Sequence, residues 1–270
     1  MNKLTELLMV KSKQPTSKVP TPLLSKVMNG FFRDKISKRE NEKRYKKKKG
    51  FTNFRVSELG YEPRLLYLST LGFIQWADSP ASVRRLENGT GTHERWERWV
   101  EEAGILVAKE QNVECGNPPV RGRYDFKIKL DGLLWVAELK SMNSSDYSQS
   151  KEPKFKDIVQ QAMYMELDGV PRGYIIYENK DNNTPKYFET QLDVDTGTVH
   201  IACPRYGYIH FDNLVPKIFS KLDYVLECII DGAVPIPCPG CNPKCKWVSE
   251  CKEATRGKPQ LKPQDIKGDY

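Results

Sequence analysis

The sequence predicts an α/β domain in layers, with the related α+β layering also open. Three features indicate this: two apolar, β-rich runs separated by Asp131-Gly132, helical apolar spacing on both sides of that pair, and further short apolar runs downstream. A chain of 270 residues can bury one good-sized core with small appendages. We therefore expect one domain with extensions.

The elements follow one another in a definite order. A helical spacing joins Leu59, Leu66 and Tyr67, and the next helix begins at Ser79 as N-cap and Pro80, with Gly89 and Gly91 either breaking it or admitting a close neighbour. Strands are predicted at about 105–114, 123–130 and 133–140, and then a helix at about 155–168 that Gly169 and Pro171 end. The last elements are a buried strand, an edge strand and a late helix, in the segments RGYIIYEN, KYFETQLD and NLVPKIFSKLDYVLECIIDG.

The first 50 residues predict a basic arm. The segment RDKISKRENEKRYKKKKG contains ten Lys or Arg residues against three acidic ones. Such clustered cations contact phosphates in nucleic acids, and a solvated tail is the other interpretation. The net charge of +8 and the pI near 9.0 suit a polyanionic partner, although a merely soluble basic protein would share them.

The chain lacks the features of a membrane or secreted protein. No apolar run reaches membrane-spanning length, and the segment LTELLMV is interrupted by Glu6 and is too short for a signal-peptide core. We therefore expect a soluble, cytoplasmic protein with reduced thiols. In that compartment, seven cysteines indicate metal ligands or buried small hydrophobes.

The Asp131-Gly132 pair predicts a two-residue hairpin turn. With that turn, Leu130 pairs with Leu133, and continuing the register places Asp125 directly opposite Glu138. Directly opposed side chains have Cβ atoms about 5 Å apart, so the two carboxylates repel each other unless a cation lies between them. The hairpin therefore predicts a divalent-metal site.

Strand periodicity separates the charged side chains of the second strand from its apolar ones. Lys140 shares a face with Glu138, whereas Trp135, Ala137 and Leu139 point the other way, into the core. Glu-x-Lys occurs four times, beginning at residues 138, 152, 178 and 250, but only the first follows an apolar strand and faces an Asp across a turn. A longer turn would shift the register, and a solvent-exposed strand face is the alternative interpretation.

These residues together resemble the RecB-like branch of the PD-(D/E)xK nuclease superfamily, close to the CRISPR-associated iron–sulfur exonucleases of that branch. Four segments between about Asn53 and Cys251 carry the resemblance: RRLENGTGTHERWERW, GRYD, ELK and QQAMY. It implies a restriction-endonuclease-like core, with a central mixed sheet flanked by helices. It also implies roles for six side chains: His93, Asp125 and Glu138 as ligands of Mg²⁺ or Mn²⁺, Lys140 as the residue that positions the attacking water, and Gln160 and Tyr164 as contacts to DNA or to Lys140.

The same residues allow plainer interpretations. A lone histidine such as His93 is more often structural than a metal ligand. Gln160 and Tyr164 are four residues apart and share a helix face, which an amphipathic helix with a tyrosine at its margin also explains. Gln161 is the alternative donor if the helix is rotated.

The segment CPGCNPKCKWVSEC predicts a metal module. It places Cys238, Cys241, Cys245 and Cys251 within fourteen residues, a spacing typical of a soft-metal site, either Zn²⁺ or an iron–sulfur cluster. In the resembled family a [4Fe–4S] cluster commonly takes one cysteine from an upstream Cys-Pro-Arg segment, where this chain has Glu62 instead. The three dispersed cysteines are expected to be buried small hydrophobes: Cys115, Cys203 and Cys228.

The sequence predicts four parts: a basic arm at 1–50, a nuclease domain at 51–235, a four-cysteine metal module at 236–256 and a polar tail at 257–270. The expected activity is metal-dependent exonuclease cleavage of DNA ends or single strands, with the 5′ start implied by the resemblance. The alternative functions are those of an endonuclease of the same fold and of a catalytically inactive DNA-binding protein. This activity would fit a role in recombination, repair or DNA-fragment processing, with recombination or replication proteins as partners. A viral origin would fit equally well. The oligomeric state and the preference for DNA over RNA stay open.

Overall fold

A computed structural model describes residues 27–28, 30–38, 51, 53–73, 79–203, 207–238, 245 and 247–262. Most of the predicted basic arm, most of the polar tail and Cys241 therefore lie outside the described residues. Among the helices within these ranges, none combines the length and the apolarity needed to cross a membrane.

Groups of helices alternate with groups of strands along the chain. The helical elements are α1 (30–38), a 3₁₀ turn (Val56–Glu58), α2 (Pro63–Thr70), α3 (Pro80–Glu102), α4 (Ser144–Gln149), α5 (Phe155–Asp168), α6 (Leu214–Ile230) and α7 (Val248–Thr255). The strands are β1 (Phe54–Arg55), β2 (Leu106–Gly116), β3 (Pro119–Leu130), β4 (Leu133–Met142), β5 (Arg172–Asn179), β6 (Pro185–Asp193), β7 (Thr198–Cys203), β8 (Gly207–Phe211), β9 (Val234–Pro235) and β10 (Gln260–Leu261).

A mixed sheet of eight strands runs through the domain. Strand β3 pairs with β2 on one side and with β1 and β4 on the other, and β5, β6, β7 and β8 follow β4 in order. The β4–β5 and β1–β3 pairs are parallel, and the other pairs in this sheet are antiparallel. The predicted α/β class with a central mixed sheet flanked by helices is thus confirmed.

Strands β3 and β4 form the predicted hairpin. Asp131 and Gly132 both have positive φ, at 49° and 80°, as a type I′ turn requires. Leu130 pairs with Leu133, and the register continues as expected up to Phe126 opposite Ala137. Beyond that pair, a side chain rather than the backbone of β3 bonds to β4. Asp125 Oδ2 accepts a hydrogen bond from the backbone N–H of Leu139 at 2.7 Å.

Helices pack on both faces of the sheet. On one face, Trp96 and Val100 of α3 pack against a cluster that includes Trp135, Ala137 and Leu139, which confirms their predicted inward direction. The opposite face packs against α2, α5 and α6. Val136 on that face is fully buried, so the face that carries Glu138 is also covered rather than open to solvent.

The structure corrects one of the predicted elements and decides between two interpretations of another. KYFETQLD is not an edge strand, because β6 pairs with β5 and β7, and the sheet continues to β8. Gly89 and Gly91 do not break α3, which runs from Pro80 to Glu102. The Cβ position of Gly89 is 3.9 Å from the Ser141 hydroxyl, so this part of α3 passes close to β4.

Part of the predicted basic arm packs against the domain. Phe32 of α1 is buried, and the Arg84 guanidinium lies 4.5 Å from the centre of its ring. Lys35 forms an ion pair with Glu87. Residues 30–38 are therefore held against α3, the helix that carries His93.

Candidate active site

His93 and Asp125 meet near the point where the hairpin register ends. His93 Nδ1 of α3 lies 3.1 Å from Asp125 Oδ1 of β3. Burial lowers the pKa of the imidazole, but the hydrogen bond and charge of Asp125 outweigh this and raise the pKa overall. Asp125 thus bridges two elements, because its other oxygen accepts the Leu139 N–H of β4.

A buried carboxylate anchors the helix that carries His93. Glu178 of β5 is fully buried and accepts hydrogen bonds from Trp96 Nε1, at 2.5 Å, and from Arg95. These two donors follow His93 by three and two residues, so they fix its turn of α3 against the sheet. Glu178 begins another of the four Glu-x-Lys triplets, and these contacts give it a structural role.

Glu138 and Lys140 form a close pair on β4. Lys140 Nζ lies 2.6 Å from Glu138 Oε1, and Glu138 is only 3% exposed. Burial, with the charge of Asp125, raises the pKa of the Glu138 carboxyl to about 8, although Lys140 pulls it down. Burial by itself lowers the pKa of Lys140, but the attraction of Glu138 outweighs burial, so the pKa is raised overall. The charge of Glu138 is therefore incompletely compensated.

Gln160 of α5 joins these groups into one network. Its Nε2 donates to Glu138 Oε1 at 2.8 Å and to the Tyr164 hydroxyl at 3.0 Å, and its Oε1 accepts from Lys140 Nζ at 3.0 Å. Gln161, the alternative donor, instead donates to the Val136 carbonyl at 2.8 Å. Of the two neighbouring glutamines, Gln160 therefore reaches the charged side chains and Gln161 fastens α5 to the sheet.

Gly122 of the GRYD segment allows α5 to approach β3. A Cβ atom at this position would lie 2.7 Å from the Tyr164 ring and 2.6 Å from Val56. The Tyr164 hydroxyl donates to the Arg123 carbonyl at 2.8 Å, which holds the ring over this strand. The glycine of the segment is thus explained by close packing, as is common for a glycine within a strand.

Asp157 is a buried acidic residue of the site that the sequence interpretation missed. It accepts a hydrogen bond from the Tyr177 hydroxyl at 2.6 Å, and its charge helps to raise the pKa of Lys140. Tyr177 pairs with Lys140 in the β4–β5 register. Its spacing in the sequence could have indicated this role, because Asp157 lies three residues before Gln160 and so shares its helix face.

The predicted ligands fit a divalent cation by their chemistry. Among the residues that the structure describes, no group of three or more His, Cys, Asp or Glu side chains is arranged to hold a metal ion as it stands. Glu138 Oε1 accepts a hydrogen bond from Lys140, whereas Glu138 Oε2 is buried without a hydrogen-bond partner among these residues. A cation would satisfy an unpartnered carboxylate oxygen beside a second carboxylate. Carboxylate and imidazole donors suit Mg²⁺ or Mn²⁺, so His93, Asp125 and Glu138 are the residues that could hold it.

The cysteines divide into two groups. Cys203 and Cys228 are buried as predicted, and burial raises the pKa of the Cys228 thiol to about 12, while Cys115 is only partly buried. Of the predicted metal module, Cys238, Cys245 and Cys251 are half-buried, and Cys241 lies outside the described residues. The sulfur of Cys251 accepts a hydrogen bond from Arg64 Nη1 at 3.5 Å.

The chain is similar in structure to several solved proteins. One is SSO0001, at 16% identity and a TM-score of 0.40, with 69% of this chain and 82% of that one covered. Another is an alkaline exonuclease, LHK-Exo, from Laribacter hongkongensis, at 16% identity and a TM-score of 0.44, with 67% and 89% covered. The complex of LHK-Exo with dAMP matches at 14% identity, with the same TM-score and coverage. No family model and no curated protein sequence matches the chain. The case for a function therefore rests on the side chains of the site itself.

Proposed function

We propose that this protein is a metal-dependent nuclease with a restriction-endonuclease-like core, which hydrolyses phosphodiester bonds in DNA. The observation that carries the proposal is the convergence of a His–Asp pair, a buried Glu–Lys pair and a Gln–Tyr pair from α3, β3, β4 and α5. Groups that are far apart in sequence and perturbed in pKa are typical of catalytic sites. The resemblance to PD-(D/E)xK nucleases assigns the same residues.

The chain would hold the metal through His93, Asp125 and Glu138. A bound Mg²⁺ or Mn²⁺ ion supplies a water of lowered pKa and neutralises charge on the phosphate. Asp125 is kept in place by the Leu139 N–H, and His93 by the anchored turn of α3. The protein therefore contributes a positioned set of oxygen and nitrogen donors in a largely buried site.

Lys140 is placed to act on the attacking water and on the phosphate. Its ammonium group is held by Glu138 and Gln160, and Asp157 adds a further negative charge nearby. A cation fixed in this way can orient a water molecule and stabilise a phosphate oxygen. Gln160 and Tyr164 act as positioning residues, because they fix Lys140 and the backbone of β3.

The finer assignment is an exonuclease that starts at DNA ends or on single strands, from the 5′ end. It is supported by the family resemblance and by the net charge of +8, which favours contacts to the phosphate backbone. Recombination, repair and DNA-fragment processing all require such end trimming, and they define the class of partners.

The test is cleavage of end-labelled single-stranded and duplex DNA with Mg²⁺ or Mn²⁺. We expect wild type to cut and Glu138→Gln to lose at least ~100-fold in rate, the scale associated with one catalytic group, while DNA binding is retained. The matched control is Glu152→Gln, which changes an exposed glutamate of another Glu-x-Lys triplet and should cut like wild type.

Product lengths and the position of the label distinguish the alternatives. Shortening from one labelled end supports the 5′ exonuclease, and internal cuts support the endonuclease. A wild-type protein that binds DNA and cuts it with neither metal ion would contradict the nuclease proposal and leave the DNA-binding function.

A further inference from the structure

Asp157 of α5 is a buried carboxylate without an ion pair. It is only 4% exposed, and none of the ion pairs in the described part of the chain includes it. Its Oδ2 accepts a hydrogen bond from the Tyr177 hydroxyl at 2.6 Å, and the Tyr177 oxygen accepts one from the backbone N–H of Lys154 at 2.8 Å. Buried charges are normally paired with an opposite charge, so the environment of Asp157 is incomplete.

Lys140 is the cation placed to complete this environment. Tyr177 is the neighbour of Lys140 in the β4–β5 register. Gln160, which accepts from Lys140 Nζ at 3.0 Å, follows Asp157 by three residues and so shares its helix face. Burial lowers the pKa of Lys140, but the charges of Glu138 and Asp157 help to raise it overall. The ammonium group has three donors, of which Glu138 and Gln160 occupy two.

In the proposed site, Lys140 and a divalent cation compete for the same carboxylate. Lys140 Nζ lies 2.6 Å from Glu138 Oε1. A metal ion on Glu138 would place two positive charges at one carboxylate, where they repel each other strongly because Glu138 is buried. Lys140 therefore needs a second carboxylate if Glu138 is to bind the metal ion with its full charge.

We propose that Lys140 changes its partner from Glu138 to Asp157 when Glu138 binds the metal ion. Asp157 is then a positioning residue, which keeps Lys140 beside the site and leaves Glu138 to the metal. The inference rests on the proposed nuclease function, because it concerns the same metal ion. The Tyr177 hydroxyl fixes the Asp157 carboxylate in advance, and its place in the first turn of α5 favours a negative charge.

The first test measures Mn²⁺ binding to metal-free, full-length protein, with Mn²⁺ alone as the probe. Asp157→Asn keeps an acceptor for the Tyr177 hydroxyl but loses the charge. Its dissociation constant for Mn²⁺ should rise about 10- to 100-fold, the scale found for groups that act on metal ligands. Asp168→Asn is the matched control and should bind Mn²⁺ like wild type, because this largely buried acid of the same helix pairs with Lys127 instead.

Lys140→Met completes a double-mutant cycle, because it removes the competing cation. This variant should bind Mn²⁺ at least as tightly as wild type. Adding Asp157→Asn to it should weaken binding far less than in wild type, because no ammonium group remains to be held. An Asp157→Asn protein that binds Mn²⁺ like wild type would overturn the inference. An equal loss of affinity with and without Lys140 would do the same, because Asp157 would then act independently of Lys140.

A crystal structure of wild type with Mn²⁺ needs no variant and so does not depend on whether the variants fold. We expect Lys140 Nζ to lie about 3 Å from the Asp157 carboxylate and to be separated from Glu138. An ammonium group that keeps its bond to Glu138 beside the bound metal ion would refute the inference and leave the proposed function intact. Wild type that binds no Mn²⁺ would instead contradict the metal-dependent function, and the inference with it.

Discussion

Replacing Glu138 with glutamine should stabilise the protein when no divalent metal is present. Burial and the charge of Asp125 raise the pKa of the Glu138 carboxyl from 4.5 to about 8. The folded state then binds more protons than the unfolded state between these two values. The free energy of unfolding therefore falls as the pH rises from about 4.5 to about 8. Glutamine has nearly the same shape and no charge, so it should abolish this fall.

The size of the effect follows from the same pKa. Between pH 4.5 and pH 7 the unfolded state loses the Glu138 proton while the folded state largely keeps it. Each of these roughly 2.5 pH units is worth about 1.4 kcal/mol, which gives about 3–4 kcal/mol. This figure already includes the attraction of Lys140. That attraction lowers the pKa of Glu138, yet the net shift is still upward. We therefore expect Glu138→Gln to be more stable by about 3–4 kcal/mol at pH 7 and by nearly nothing at about pH 4.5.

Urea unfolding of both proteins in a chelator, at several values between about pH 4.5 and pH 8, measures the difference. Glu152→Gln serves as the control, because its exposed glutamate should leave the pH dependence unchanged. A Glu138→Gln protein that is less stable than wild type at pH 7, or a difference that stays constant with pH, would refute the electrostatic argument.

Three further predictions concern other parts of the domain. Burial lowers the pKa of Lys221 to about 8, so wild-type stability should rise with pH between about 8 and 10.5, and Lys221→Met should remove that rise in thermal melts. Gly122→Ala should cost about 1–3 kcal/mol through the close contacts of the new methyl group, whereas Gly116→Ala, with open space around it, should cost less in urea unfolding. Gln160→Ala should slow cleavage strongly. Gln161→Ala should mainly lower the free energy of unfolding, by about 1–3 kcal/mol, since it removes the buried hydrogen bond to the Val136 carbonyl of β4. Steady-state cleavage and urea unfolding of both glutamine variants separate these effects.

The elements that local chemistry determines were predictable from the sequence. The hairpin register follows from Asp131-Gly132, because a two-residue turn with two positive φ angles leaves one way to pair the flanking strands. Helix α5 ends where Gly169 adopts a left-handed conformation. The proximity of Asp125 to Glu138 rests on the same register.

The remaining features depend on tertiary contacts that the sequence pattern does not contain. The position of β6 inside the sheet is decided by β7 and β8, whose short runs were not recognised as strands. The burial of Glu138 depends on how closely α5 approaches, which Gly122 permits. The spacing of Asp157 from Gln160 was a signal, but the role of Asp157 also depends on Tyr177, which lies 20 residues away in sequence.

The central claim is that the charged face of β4 is a divalent-metal centre. Its most direct test is Mn²⁺ binding to metal-free wild type and Glu138→Gln, followed by electron paramagnetic resonance of the free ion. We predict that wild type binds one or two Mn²⁺ ions per chain and that the variant loses this binding. Equal binding by the two proteins, or none by wild type at millimolar Mn²⁺, would contradict the claim.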